Sequence, residues 1–99
     1  MKHTKGPWTI KASSSGNHFI YSDAKSSSVA GVNFVSRDIG DEEALANAQL
    51  IAAAPELLTA LERVAEEIRL FMELHEDDED AAAAYYMAID AIVKAKGGN

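Results

Sequence analysis

Pro55-Glu56-Leu57-Leu58-Thr59-Ala60-Leu61-Glu62-Arg63-Val64-Ala65-Glu66-Glu67-Ile68-Arg69-Leu70-Phe71-Met72-Glu73-Leu74-His75 is the stretch whose reading decides the fold. Leu57, Leu61, Val64, Ile68, Phe71 and His75 recur at spacings of 4-3-4-3-4, and Leu58, Ala65 and Met72 widen the same stripe. That spacing lines one side of a 3.6-residue helix, whereas a strand would alternate. A single amphipathic helix is stable only where its stripe is covered, so the segments on either side set the fold class.

Upstream, Ala44-Leu45-Ala46-Asn47-Ala48-Gln49-Leu50-Ile51-Ala52-Ala53 predicts a helix of its own. Asp41 is placed to cap it, and Glu42 and Glu43 suit its positive first turn. Pro55 ends or kinks this helix and then serves in the first turn of the next. Downstream, Glu76-Asp77-Asp78-Glu79-Asp80 interrupts the stripe and supplies caps for a third helix from about Ala81 to Lys96. Tyr85, Ala88, Ile89 and Ile92 share one face of it, and Gly97-Gly98 ends it. A connection this short predicts an antiparallel hairpin of helices two and three.

Before residue 40 the period changes to two. Trp8-Thr9-Ile10-Lys11-Ala12 alternates, with Gly6-Pro7 fixing its start. Ser13 to Asn17 reads as a turn, and His18-Phe19-Ile20-Tyr21-Ser22 as a second strand with Phe19 and Tyr21 opposite His18 and Ile20. Asp23 to Ser28 reads as a second turn and Val29 to Val35 as a third strand, with Ala30, Val32 and Phe34 on one face. The fold class expected is α+β: a three-stranded antiparallel meander packed on three helices, in one domain of residues 1–99, with 1–40 as the meander and 41–99 as the helical part.

The chain has 99 residues, a net charge of −7 and no cysteine. It therefore has no disulfide frame, no thiolate nucleophile and no Cys-type zinc site, which fits a cytoplasmic setting. The first residues lack the apolar run of a signal peptide, and Ala44 to Pro55 is too short to span a bilayer. Charge is divided unevenly. Lys2, Lys5, Lys11, Lys25 and Arg37 oppose only Asp23 and Asp38 before residue 41, whereas fourteen acidic groups oppose four cations after it. Direct DNA binding is disfavoured, because the chain as a whole repels a phosphate backbone and its basic half holds few cations.

No nucleophile elbow, phosphate-binding loop or His-Glu-x-x-His run occurs, and His3, His18 and His75 lack metal-ligand spacing. The expectation is a protein without catalysis, cofactor or metal. Two sets of binding residues stand out. Lys5, Lys11 and Arg37 offer phosphate contacts, Trp8 offers a ring for stacking, and Asn47 offers an amide for a base or ribose edge. Asp77, Asp78 and Asp80, with Tyr85 and Tyr86, suit an interface with a protein. Leu57, Leu61, Val64 and Ile68 form a stripe wider than one helix can cover, so they are expected to be buried, some of them between subunits of a homo-oligomer.

The opening His3-Thr4-Lys5-Gly6-Pro7-Trp8-Thr9-Ile10 and the central Ala46-Asn47-Ala48-Gln49-Leu50-Ile51-Ala52-Ala53-Ala54-Pro55-Glu56-Leu57-Leu58-Thr59-Ala60-Leu61 resemble a family of small proteins of tailed bacteriophages and prophages. In that family a Gly-Pro-Trp start precedes a variable strand region and an Ala-Asn-Ala-x-Leu-Ile-Ala-Ala-Ala-Pro-Glu-Leu-Leu segment. The resemblance implies a phage origin and action in the bacterial cytosol, and it places Trp8, Asn47 and Pro55 in a shared pattern without assigning a reaction. The function expected is a phage accessory protein that binds stoichiometrically in counter-defence, sequestering a small nucleotide signal. The alternatives are inhibition of a host defence protein through the acidic helical face, and a small enzyme or regulatory subunit.

Overall fold

The computed structural model describes residues 3–12, 18–32 and 41–98. The elements run β1 (Trp8–Ala12), β2 (His18–Ser22), β3 (Ser27–Val32), α1 (Asp41–Ala52), α2 (Ala54–Leu74) and α3 (Glu79–Ala95). The strands form one antiparallel sheet in the order β1-β2-β3. The α+β class and the order of sheet before helices are those expected from the change of period. Two compact units result, Thr4–Glu56 and Leu57 onward together with His3. The seam therefore falls inside α2, between Glu56 and Leu57, and α1 belongs with the sheet.

In the first unit β1 and β2 pair with Trp8 opposite Ser22, Ile10 opposite Ile20 and Ala12 opposite His18. Alternation makes these one face, and Thr9, Lys11, Phe19 and Tyr21 the other. Ile20 and Ser22 are fully buried on the first face. The helix α1 packs on all three strands. Its Ala44 and Ala48, one turn apart, are fully buried, and their small side chains allow a close approach.

The third strand corrects the sequence reading. It begins at Ser27, two residues before the expected Val29, and the turn shortens to Asp23–Ser26. Ser28 pairs with Tyr21 and Ser27 with Ser22, while Ile20 pairs with Ala30, so Val29 is an extra residue in a bulge. Serines favour turns for local reasons, but here two of them extend the ladder and Ser26 alone takes the left-handed conformation, at φ 52°. Residues 33–35, including Phe34, lie outside the described residues, as do the Ser13–Asn17 turn and the side chain of Asp41.

In the second unit α2 and α3 form the expected hairpin. Lys96, just past the end of α3, pairs with Glu62 near the start of α2 at 2.7 Å, which fixes the antiparallel sense. α3 starts at Glu79 rather than Ala81, because Asp78 caps it by accepting the Ala81 N–H at 3.0 Å. Its end is a Schellman turn: Gly97 sits at φ 79°, with the Gly98 N–H donating to Val93 O at 2.9 Å and the Gly97 N–H to Lys94 O at 3.1 Å. Among the described residues no single helix is long and apolar enough to cross a membrane.

Candidate interaction surfaces

The N-terminal arm is held by a set of polar and steric contacts. Ser22 donates its hydroxyl to Lys5 O at 2.7 Å and accepts the Lys25 N–H at 3.2 Å. Asp23 donates its N–H to Pro7 O at 3.2 Å, and Trp8 Nε1 donates to Thr4 O at 3.0 Å. A methyl group added at Gly6 would meet Pro55 Cβ at 3.1 Å and Cγ at 3.4 Å. Gly6 and Pro55 therefore lie in tight contact, and Pro55 is buried. The opening stretch of the sequence and the Pro55 region thus meet in space, through Gly6 and Pro55. Trp8 anchors the arm by its indole N–H, and its ring is half-buried. Alternation between Ile20 and Ser22 carried the signal for Ser22, whose burial the sequence reading did not single out.

Of the basic residues considered for phosphate, Lys5 and Lys11 are exposed. Lys11 leaves β1 on the face opposite Trp8, where its Nζ lies 3.8 Å from the centroid of the Tyr21 ring. Lys5 gives its backbone carbonyl to the arm contacts. Asn47 is exposed on α1, away from the buried Ala44–Ala48 line. Arg37 lies outside the described residues. On the Lys11 face, the Phe19 ring covers Gly31, whose added Cβ would sit 3.6 Å from it.

The hairpin exposes more apolar surface than the stripe pattern implies. Ala65 and Ala88 are its buried residues. Glu62, Ala65 and Glu66 of α2 line a groove of about 200 Å³ with Tyr85, Ile89 and Ile92 of α3. The contact between helices thus runs through Ala65, not along the Leu57–Val64 line. Leu61 and Ile68 are half-buried, but Leu57 and Val64 stay 52% and 51% exposed, against the burial expected of them. Ala65 and Ala88, the buried positions of the two helices, each lie one residue from an exposed apolar side chain, Val64 and Met87. His75 falls just beyond α2, stacked on Phe71 with ring centroids 4.2 Å apart. Tyr85 is half-buried beside the exposed Tyr86, the rings edge-on at 5.6 Å.

The family model described as Salmonella phage P22 protein Y8K6 matches residues 1–99. The chain belongs to this phage family. No curated protein and no solved structure matches it.

The charges of this Y8K6-family protein are compensated unequally along the hairpin. Arg63 pairs with Glu67 at 3.4 Å, Arg69 with Glu66 at 2.8 Å and with Glu73 at 2.7 Å, Lys94 with Asp90 at 3.2 Å, and Lys96 with Glu62. Hydrogen bonding from Arg69 holds the Glu66 carboxyl below its ordinary range, and the same pair raises the Arg69 guanidinium. All four cations of residues 57–98 are thus engaged along the helices. At the connecting end, Glu76, Asp77, Asp78, Glu79 and Asp80 form no ion pair among the described residues. Leu74, His75, Glu76, Asp77 and Asp78 line an open depression of about 400 Å³ there, and Leu74 is 82% exposed. Leu74 lies off the helix-two stripe, so periodicity gave no reason to single it out. Among the described residues no group of three His, Asp or Glu is arranged to hold a metal.

Proposed function

We propose that this phage-family protein is a non-enzymatic accessory factor acting in the bacterial cytosol by stoichiometric binding. Its acidic hairpin end docks on a basic surface of a host defence protein, and blocking that protein is its counter-defence role. The observation that carries this reading is the uncompensated run Glu76–Asp80 beside the exposed Leu74, at the end of a hairpin whose cations are all engaged elsewhere. Clustered charge steers a basic partner into encounter, and an apolar side chain at its edge supplies an anchor. Asp77 and Asp80 are exposed for such contact, and Asp78 holds the end of α3 in shape.

Sequestration of a nucleotide signal is the second reading. It needs Trp8 and Asn47 around one ligand, with a phosphate contact from Lys5, Lys11 or Arg37. Trp8 and Lys11 leave β1 on opposite faces, which favours the protein-binding version. Affinity capture from bacterial cells tests the choice. A partner should be retained by the wild type and lost when Asp77, Asp78 and Asp80 become asparagine, while calorimetry against linear and cyclic nucleotides gives no heat. Stoichiometric nucleotide binding abolished by alanine at Lys5 and Arg37 would overturn the proposal.

A further inference from the structure

The groove between α2 and α3 identifies the two sides of the hairpin. Successive helical residues turn by about 100°. Glu66 and Ile89, which line the groove, lie that far to one side of Ala65 and Ala88. Val64 and Met87 lie as far to the other side, so they share the opposite face of the hairpin. Leu57 and Phe71, one heptad either way from Val64, join them there. These four are 52% (Leu57), 51% (Val64), 43% (Phe71) and 74% (Met87) exposed. Ala60, Ala84 and Ala91, also exposed, lie between and beside them. Together the four larger side chains leave on the order of 400 Å² of apolar surface in water, within the range of the largest patches on monomers.

We propose that a second copy of this chain covers this face and builds an antiparallel four-helix bundle. α2 would lie on its counterpart about Val64 and α3 on its counterpart about Met87. Two observations select a second copy over an unrelated partner. The apolar positions are symmetric about their centres, Leu57 and Phe71 each seven residues from Val64, as an isologous contact requires. The charges on the same side of α3 are symmetric and opposite in sign: Asp80 and Lys94 each lie seven residues from Met87. An antiparallel pairing about Met87 therefore sets Asp80 of one copy near the partner subunit's Lys94, twice over. The alanines beside Met87 permit the close approach that packed helices need. Both Asp80 and Lys94 are exposed, and Lys94 is otherwise engaged only along its own helix with Asp90. This inference shares Asp80 with the proposed host contact, but its apolar face does not include Asp77 or Asp78, and its test reads the mass of the pure chain without a host target.

Light scattering with sedimentation velocity on the full chain tests it. The wild type should have twice the 10.6 kDa mass of one chain at micromolar concentration. Val64→Glu should give a monomer with unchanged helical circular dichroism. If Val64→Glu unfolds, Met87→Glu decides, because Met87 is largely exposed and its charge is harmless to one chain. Asp80→Lys should weaken the dimer by roughly fivefold and the Asp80→Lys/Lys94→Asp pair should restore it, the size expected for two exposed ion pairs. A monomeric wild type, an odd-numbered assembly, or a folded dimer that survives Met87→Glu would overturn the proposal.

Discussion

Replacing Ser22 by alanine should loosen the N-terminal arm more than any change at an exposed serine. The Ser22 hydroxyl is fully buried, donates to Lys5 O at 2.7 Å and accepts from the Lys25 N–H at 3.2 Å. A typical internal hydrogen bond contributes about 1 kcal/mol net, and a buried group left without its partner costs about 1–3 kcal/mol. Alanine removes both bonds, each contributing at about that level, and releases the Lys5 carbonyl at the base of the arm. The expected loss is about 2 kcal/mol, for which a chain of this size shows a melting temperature lower by roughly 8–16 °C. Trp8, the only tryptophan, donates to Thr4 O in the same arm, so its fluorescence follows the loss directly in thermal and urea unfolding. Ser28→Ala, at an exposed position, is the matched control and should stay within about 0.5 kcal/mol of wild type. If Ser22→Ala behaves like Ser28→Ala, the arm is not held as described.

Gly6→Ala should cost about 1 kcal/mol, because the new methyl meets the rigid ring of Pro55 at 3.1 Å. In a Pro55→Ala background the cost should shrink, and a double-mutant cycle by urea unfolding should return a coupling well above the roughly 0.3–0.5 kcal/mol scatter of independent sites. Asp78→Ala should destabilise α3 by about 1 kcal/mol while Asp78→Asn is near neutral, measured by helical circular dichroism on melting. Glu66 has its folded-state carboxyl pulled below the ordinary value by Arg69, so the stability it adds is complete above the ordinary carboxylate range and is lost as pH falls through the lowered value. The acid limb of a pH–stability curve should therefore flatten slightly in Glu66→Gln, and salt should shrink the difference because the pair is exposed.

The elements whose pattern is local were legible in the sequence. β1 and β2 have the expected bounds, because alternating Trp8–Ala12 and His18–Ser22 carry their own period. The break at Ala53 and the restart with Pro55 follow from proline chemistry, and the cap at Asp78 from the acidic run. What depends on distant partners was not legible. Ser27 and Ser28 become strand only because Ser22 and Tyr21 stand opposite. Pro55 reads as a helix punctuator, yet it is also the surface against which Gly6 packs, 49 positions earlier in the chain. The 4-3-4-3-4 stripe predicts a buried line, but periodicity does not say which edge of it a partner covers. Ala65 draws the contact with α3 and leaves Leu57 and Val64 open. Among the candidate site residues chosen for type alone, Trp8 and Lys11 leave β1 on opposite faces, a consequence of alternation along one strand. The acidic residues, contiguous in sequence, remained together at one end of the hairpin.

The most direct measurement is quantitative affinity capture from bacterial cells with three forms of the full chain: wild type, the Asp77→Asn/Asp78→Asn/Asp80→Asn variant, and the Lys5→Ala/Lys11→Ala variant. Asparagine keeps the α3 cap, so the first variant removes charge without removing the helix end. The account predicts that the asparagine variant loses its host protein partner while the lysine variant keeps it at wild-type stoichiometry. Retention by the asparagine variant together with loss by the lysine variant would contradict it.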